Sequence, residues 1–198
     1  MDNDPGQRVD VSKKFPHITE RLNKRKDFFQ SKVLDNAGED KRPFVIGHPE
    51  VLWTQIPARD GIAHGEIKRS NKFPNCSHFL NWKNEEDYIS WDVEVGKSGN
   101  YEVELWYSCR EKDLGAEIEL SMNGKSVVTT VTRANDPPLV GMKEDRSPRN
   151  ESYYKDFRPM KMGTIELVKG KGELKLRALR IPGEQAIEFR LLMLQRKG

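Results

Sequence analysis

Apolar and polar positions alternate with a period of two over most of the chain. Ile89, Trp91, Val93 and Val95 alternate with Ser90, Asp92 and Glu94. After Gly96-Lys97-Ser98-Gly99, Tyr101, Val103, Leu105, Tyr107 and Cys109 alternate with Glu102, Glu104, Trp106 and Ser108. That pattern predicts two strands with one wet face, joined as an antiparallel hairpin. Ile118, Leu120 and Met122 face Val127, Thr129 and Val131 across Asn123-Gly124, the dipeptide best suited to a two-residue hairpin turn. Ile165 and Leu167 predict a further pair with Leu174, Leu176 and Ala178 across Lys169-Gly170-Lys171-Gly172. Ile187, Phe189, Leu191 and Met193 predict a closing strand, and weaker strands are expected near 44–46, 51–56, 65–69 and 76–82. Many short strands without helical spacing predict a mainly β fold, an antiparallel sandwich or barrel. The interruption at 132–160, rich in Pro, Gly, Asn, Arg and Tyr, predicts a long loop of the kind that carries function.

The first 35 residues read differently. Ile18, Leu22, Phe29 and Val33 fall at helical spacing, with Arg21, Lys24, Arg25 and Lys26 elsewhere, predicting a helix over 16–33 opened by Pro16. Asn36 to Arg42 reads as a polar linker. The 198 residues are enough for a real core. Basic and acidic residues nearly balance, 34 against 31 for a net charge of +3, so charge makes no case for nucleic acid. No run is long and apolar enough to span a bilayer, so no membrane partner is expected. Cys76 and Cys109 fit either two buried thiols or one disulfide.

Asp2-Asn3-Asp4-Pro5-Gly6-Gln7-Arg8-Val9-Asp10-Val11, followed by Phe15-Pro16-His17-Ile18-Thr19-Glu20-Arg21-Leu22, resembles the C-terminal edge of the arylsulfatase family, its N-acetylgalactosamine-6-sulfatase-like members above all. Asp-Pro-Gly is also turn chemistry on its own terms: Pro fixes φ and Gly supplies a positive one. The resemblance implies that residues 1–35 are the tail and last helix of a sulfatase's C-terminal subdomain, and that the parent is a periplasmic or extracellular sulfuric ester hydrolase.

Leu80-Asn81-Trp82-Lys83-Asn84-Glu85-Glu86-Asp87-Tyr88-Ile89-Ser90-Trp91, then Gly99-Asn100-Tyr101-Glu102-Val103, is similar to the central strands of galactose-binding-like jelly-roll modules. Carbohydrate-binding modules of the family-6 and family-35 type belong to that group. The resemblance implies a jelly-roll module over about 43–198, after a linker at 36–42, with glycan as its partner. Related modules hold a structural calcium near the first and last strands, which would fall here to Asp60, Glu66 and Glu188; Gln55-Ile56-Pro57-Ala58 departs from the acidic start of many of them. No other cofactor is implied.

Catalysis is not expected of this chain. Sulfatases convert the first residue of Cys/Ser-x-Pro-x-Arg into the nucleophile, whereas Cys76-Ser77-His78-Phe79-Leu80 has neither Pro nor Arg, and Ser147-Pro148-Arg149 has them out of register. His17, His48, His64 and His78 share no metal spacing. Sugar recognition needs an aromatic face and a few polar forks. Trp82, Trp91 and Tyr101 read as core. Trp106, on the face opposite Val103 and Leu105, is either a stacking platform or covered by a neighbour. The 132–160 loop offers Arg133, Asp136, Tyr153, Tyr154 and Asp156, and a sulfated glycan would draw Arg133, Arg146 or Arg149. Two functions follow: a carbohydrate-binding module, or a scaffold packed on the catalytic domain of a sulfatase parent.

Overall fold

Pro16 opens the one α-helix among the described residues, where its missing N–H is not needed. The computed structural model describes residues 4–38, 40–147 and 149–197; Asp2 and Asn3 of the opening run and Pro148 of Ser147-Pro148-Arg149 lie outside them. The chain divides into two units, residues 1–42 and 43–198. In the first, α1 spans Pro16–Phe29 and runs into a π-helical turn at Gln30–Leu34. The expected apolar stripe is present but buries nothing: Ile18, Leu22, Phe29 and Val33 are all exposed. The Asp-Pro-Gly turn forms, with the Gln7 N–H donating to the Asp4 carbonyl at 3.1 Å and the Asp4 carboxylate accepting from the Arg8 and Val9 N–H groups at 3.0 and 2.9 Å. The positive φ falls on Gln7, at 48°, and not on Gly6.

The second unit is a β-sandwich. Its strands are β1 Phe44–Ile46, β2 Trp53–Pro57, β3 Ile62–His64, β4 Lys68–Arg69, β5 Phe79–Leu80, β6 Tyr88–Val95, β7 Gly99–Ser108, β8 Glu117–Met122, β9 Lys125–Thr130, β10 Leu139–Val140, β11 Tyr154–Lys155, β12 Arg158–Leu167, β13 Gly170–Arg180 and β14 Glu188–Arg196. One sheet runs β1-β6-β13-β8-β9, with β3 also on β6; the other runs β12-β7-β14-β5-β4, with β2 also on β14. β10 and β11 form a separate two-stranded ribbon. Alternation does its work on both sheets. Ile89, Trp91, Val93 and Val95 of one and Tyr101, Val103, Leu105 and Tyr107 of the other are at most 2% exposed and fill one common core. Trp82, Trp91 and Tyr101 belong to that core, as expected.

The β8–β9 hairpin is as predicted: Met122 pairs with Lys125, and Asn123 and Gly124 take φ of 48° and 79°, the left-handed pair that a tight hairpin turn requires. The other two expected hairpins are corrected. β6 pairs with β13 and β7 with β12 and β14, so Gly96–Gly99 is an arch from one sheet to the other. The turn from β12 into β13 crosses the sandwich in the same way. A period of two states that a strand has one buried face; it does not state whether the next strand lies beside it or across the core. The long loop is likewise shorter than expected, because β10, β11 and the start of β12 fall inside 132–160. Cys76 is exposed and Cys109 buried, both as free thiols, which removes both the disulfide and the second buried thiol. Burial raises the Cys109 thiol to a pKa of about 11.

Every residue of the buried core lies between Ile46 and Leu194. A fragment beginning at Pro43 is therefore expected to fold by itself. Thermal unfolding followed by tryptophan fluorescence should be cooperative, with a midpoint within a few degrees of the full chain's; an insoluble or non-cooperative fragment would disprove this independence.

Candidate functional site

At one end of the sandwich a cleft of about 420 Å³ opens between the segment joining β4 to β5, the stretch that includes β11, and the start of β14. Its polar lining comes from Ser70, Asn71, His78, Arg149, Glu151, Ser152, Tyr153, Lys155 and Glu188, with Leu80 and Leu139 supplying apolar wall. Period-two alternation places the groups of the β11 stretch: Lys155 and Phe157 are buried and Tyr153 half-buried, whereas Tyr154 and Asp156 are exposed; Ser152, ahead of β11, is buried off that parity. Tyr153 and Tyr154 therefore part company: Tyr153 lines the cleft, and Tyr154 pairs with Val140 in the ribbon with half its surface exposed.

Lys155 is the organising cation of the floor. Its ammonium donates to Glu188 Oε2 at 2.7 Å and Asp136 Oδ1 at 3.2 Å while remaining only 8% exposed itself. His78, 5% exposed, sits 4.0 Å from the same Glu188 oxygen and meets Phe157 edge to face at 5.1 Å. Burial lowers the His78 pKa, Glu188 opposes, and Lys155 and Arg190 add to the lowering, so the imidazole is neutral at pH 7. The Ser70 and Ser152 hydroxyls meet at 2.7 Å across the cleft, tying its two walls together.

The outer wall is an aromatic–guanidinium pair. The Arg149 guanidinium stacks 4.5 Å from the Tyr153 ring centre and makes two hydrogen bonds to Asp145, at 2.5 and 2.6 Å. That bidentate contact holds the Asp145 carboxyl below the usual carboxylate range.

The remaining expected residues are dispersed. Arg133 is exposed and contributes its carbonyl, which accepts from Tyr107 Oη at 2.6 Å; Asp156 contributes a carbonyl to Asn135 Nδ2 at 3.0 Å. Asp136 reaches the cleft only through Lys155. Trp106 is not an exposed platform. It is half-buried, its indole nitrogen is enclosed without a hydrogen-bond partner, and it lies in register between Pro159 of β12 and Leu191 of β14. The calcium candidates do not converge, and no group of three His, Cys, Asp or Glu side chains suited to a metal occurs among the described residues. Glu188 is bonded to Lys155, Asp60 lies 3.6 Å from Arg59, and Glu66 is an exposed loop residue. Ser70, Ser152 and Lys155 were not singled out from sequence, and His78 was read only as one of four histidines without metal spacing. For Lys155 a signal existed, since it shares the parity of Tyr153 and Phe157, but a lysine at an inward position hides it.

A second concavity, of about 490 Å³, lies on the outer face of the β6-containing sheet, lined by Glu119, Ser121, Lys125, Glu173, Lys175 and Arg177 among others, none of them aromatic. The neighbouring Tyr88 ring is already occupied, stacked on His64 at 4.0 Å with Lys175 at 4.4 Å from its centre.

No protein-family model matches the chain, and no curated sequence matches it. Solved structures do. A family 35 carbohydrate-binding module from Clostridium thermocellum superposes with a TM-score of 0.50 at 14% identity, over 74% of this chain and 100% of that one. The fold is a jelly roll. A GH26-CBM35 β-(1,4)-mannanase from Podospora anserina matches at 0.50 and 11% identity, over 74% of this chain, and the Cry4Aa mosquito-larvicidal toxin of Bacillus thuringiensis at 0.56 and 14%, over 79%. In those two larger proteins the match spans only 28% and 25% of the partner chain. Family-6 and family-35 modules are thus among the structural neighbours, as the second sequence resemblance implied. At these identities the likeness establishes the fold and leaves the ligand to the residues.

Proposed function

We propose that residues 43–198 form a non-catalytic carbohydrate-binding module, and that it follows the tail of a sulfatase in its parent protein. The first part rests on one observation: an aromatic ring, Tyr153, stands at the wall of a cleft floored by fixed hydrogen-bonding groups on a jelly-roll scaffold. A sugar ring laid on the face of Tyr153 away from Arg149 buries its C–H face, while hydroxyls at the floor reach Glu188, Ser70 and Ser152. The sulfatase part rests on the Asp4-Pro5-Gly6 turn and the Pro16-started helix, whose sequence carries that resemblance. Residues 1–42 favour a second reading, a scaffold that packs on the parent's catalytic domain. Phe28, Leu22 and Phe29, 65%, 56% and 53% exposed, are a large apolar surface for an uncovered helix.

Binding by modules of this kind is weak, a Kd of roughly 0.01–1 mM. Removing a stacking ring should cost about 1–2 kcal/mol, roughly 5- to 30-fold in Kd. Affinity electrophoresis through galactan, mannan and xylan, each in neutral and chemically sulfated form, is the direct test. Tyr153→Ala should lose retardation that Tyr154→Ala keeps. Retardation of the wild type by none of the polymers would refute glycan binding; equal retardation of wild type and Tyr153→Ala would remove the cleft as its site.

A further inference from the structure

The charges at the cleft are spent on one another. Arg149, the only arginine lining it, is held in a two-point contact by Asp145. Lys155 is shared between Glu188 and Asp136. His78 is neutral, and Glu151 adds a further carboxylate at the rim. The remaining cation beside His78, Arg190, donates to the Ser77 carbonyl at 2.7 Å and does not line the cleft. Arg133 and Arg146, the other two arginines that the sequence offered to a sulfate, do not line it either. Two lining cations therefore face two lining carboxylates, Glu151 and Glu188, and each cation is also held from behind the lining, Arg149 by Asp145 and Lys155 by Asp136.

An incoming sulfate or carboxylate would have to share Arg149 with Asp145, on a guanidinium whose Nε and Nη2 already bond that carboxylate, or displace Glu188 from a lysine that is almost wholly buried. The first sets two anions against one cation and the second leaves a carboxylate without its partner, in either case a larger loss than the new contact returns. A hydroxyl faces no such contest. Among the described residues Glu188 Oε1 accepts no hydrogen bond, and the Ser70–Ser152 pair retains unused acceptor capacity. These are groups for sugar O–H donors and acceptors, and the electron-rich face of the Tyr153 ring gives an anion no favourable contact.

We propose that the cleft selects uncharged glycans and discriminates against their sulfated or uronate-bearing forms. The inference rests on the carbohydrate-binding reading and reverses the arginine–sulfate contact expected from sequence. In a sulfatase parent, such a site would grip the neutral stretches of a polymer.

The test compares each polysaccharide with its own chemically sulfated form. Wild-type protein should bind the neutral form at least 10-fold more tightly, with retardation unchanged between about 50 mM and about 500 mM salt, because no ion pair with the ligand is formed. Asp145→Asn releases Arg149 from its charged partner. That variant should gain at least fivefold affinity for the sulfated form, and the gain should disappear at the higher salt. Equal or tighter wild-type binding of the sulfated form, lost at high salt, would overturn charge selection while leaving glycan binding in place. Folded Asp145→Asn protein with no gain would also overturn it, since the argument places the discrimination in the Asp145–Arg149 contact. Binding of neither form would remove the carbohydrate reading and this inference together.

Discussion

Trp82→Ala should be the most destabilising single side-chain truncation in the module. The indole is fully buried although it lies in no strand, and its N–H donates to the Asp87 carbonyl at 3.2 Å. Its own carbonyl accepts from the Ala186 N–H at 2.8 Å, joining the segment before β6 to the segment before β14. Truncation leaves a cavity of indole size and frees a buried carbonyl, a loss of about 3–5 kcal/mol. Domains of this kind have about 5–15 kcal/mol in all. At roughly 2–4 °C per kcal/mol for a domain of this length, the midpoint should fall by about 10 °C or more. Trp53 is 46% exposed at the edge of its sheet and is the control: Trp53→Ala should stay within about 0.5–1 kcal/mol of wild type. Urea unfolding of both variants measures this, and a Trp82→Ala loss below about 1 kcal/mol would mean that the loop repacks without it.

The second large effect is expected at Lys155. Methionine in its place keeps the length of the stem and removes the charge shared by Glu188 and Asp136. Breaking a fully buried pair costs about 3–5 kcal/mol, but Asp136 is half exposed and Glu188 about one-fifth exposed, so about 2 kcal/mol is expected. The decisive comparison is the double variant Lys155→Met, Glu188→Gln. If the loss comes from an orphaned carboxylate, the double variant should recover at least half of it. A double variant as unstable as Lys155→Met alone would show that lysine's packing, and not its charge, holds the cleft floor.

These residues also show where sequence reasoning reached and where it stopped. The strands of the core were legible because each alternates: every second side chain from Ile89 to Val95 and from Tyr101 to Tyr107 is apolar, and all of these are buried. The turn at Asn123-Gly124 was legible because its backbone conformation demands those residues. Sheet partnership was not, since Tyr101 has the same inward parity whether β7 lies beside β6 or across from it. At the site, Tyr153 was found as an aromatic on a long insertion, but Tyr154 was indistinguishable from it until β11 fixed which side each faced. His78 and Ser70 come from a segment more than 70 residues away from Ser152 and Lys155 along the chain. Only the β5–β14 pairing and the hydroxyl contact bring them to one place. The π-turn after α1 and the exposure of Ile18 and Leu22 show the converse, a periodic stripe without a buried counterpart among the described residues.

The arches have a consequence for the order in which this chain can be assembled. Because β6 and β7 pass to opposite sheets, neither gains its hydrogen-bonded neighbours from the strand next to it in sequence; β7 waits for β12, and β2 waits for β14, with Thr54 paired to Leu194. Apart from the β8–β9 hairpin, the short β4–β5 pair and the ribbon, the pairing that encloses the core is remote along the polypeptide. Loop closure must precede reward, which makes folding slow for the module's size. On a ribosome, β14 is the last strand of the module to emerge and is the one that lies between β7 and the pair β2 and β5. Until it does, the apolar faces of β6 and β7 stand open to solvent and to other nascent chains, so the period of greatest aggregation risk coincides with the synthesis of the final strand.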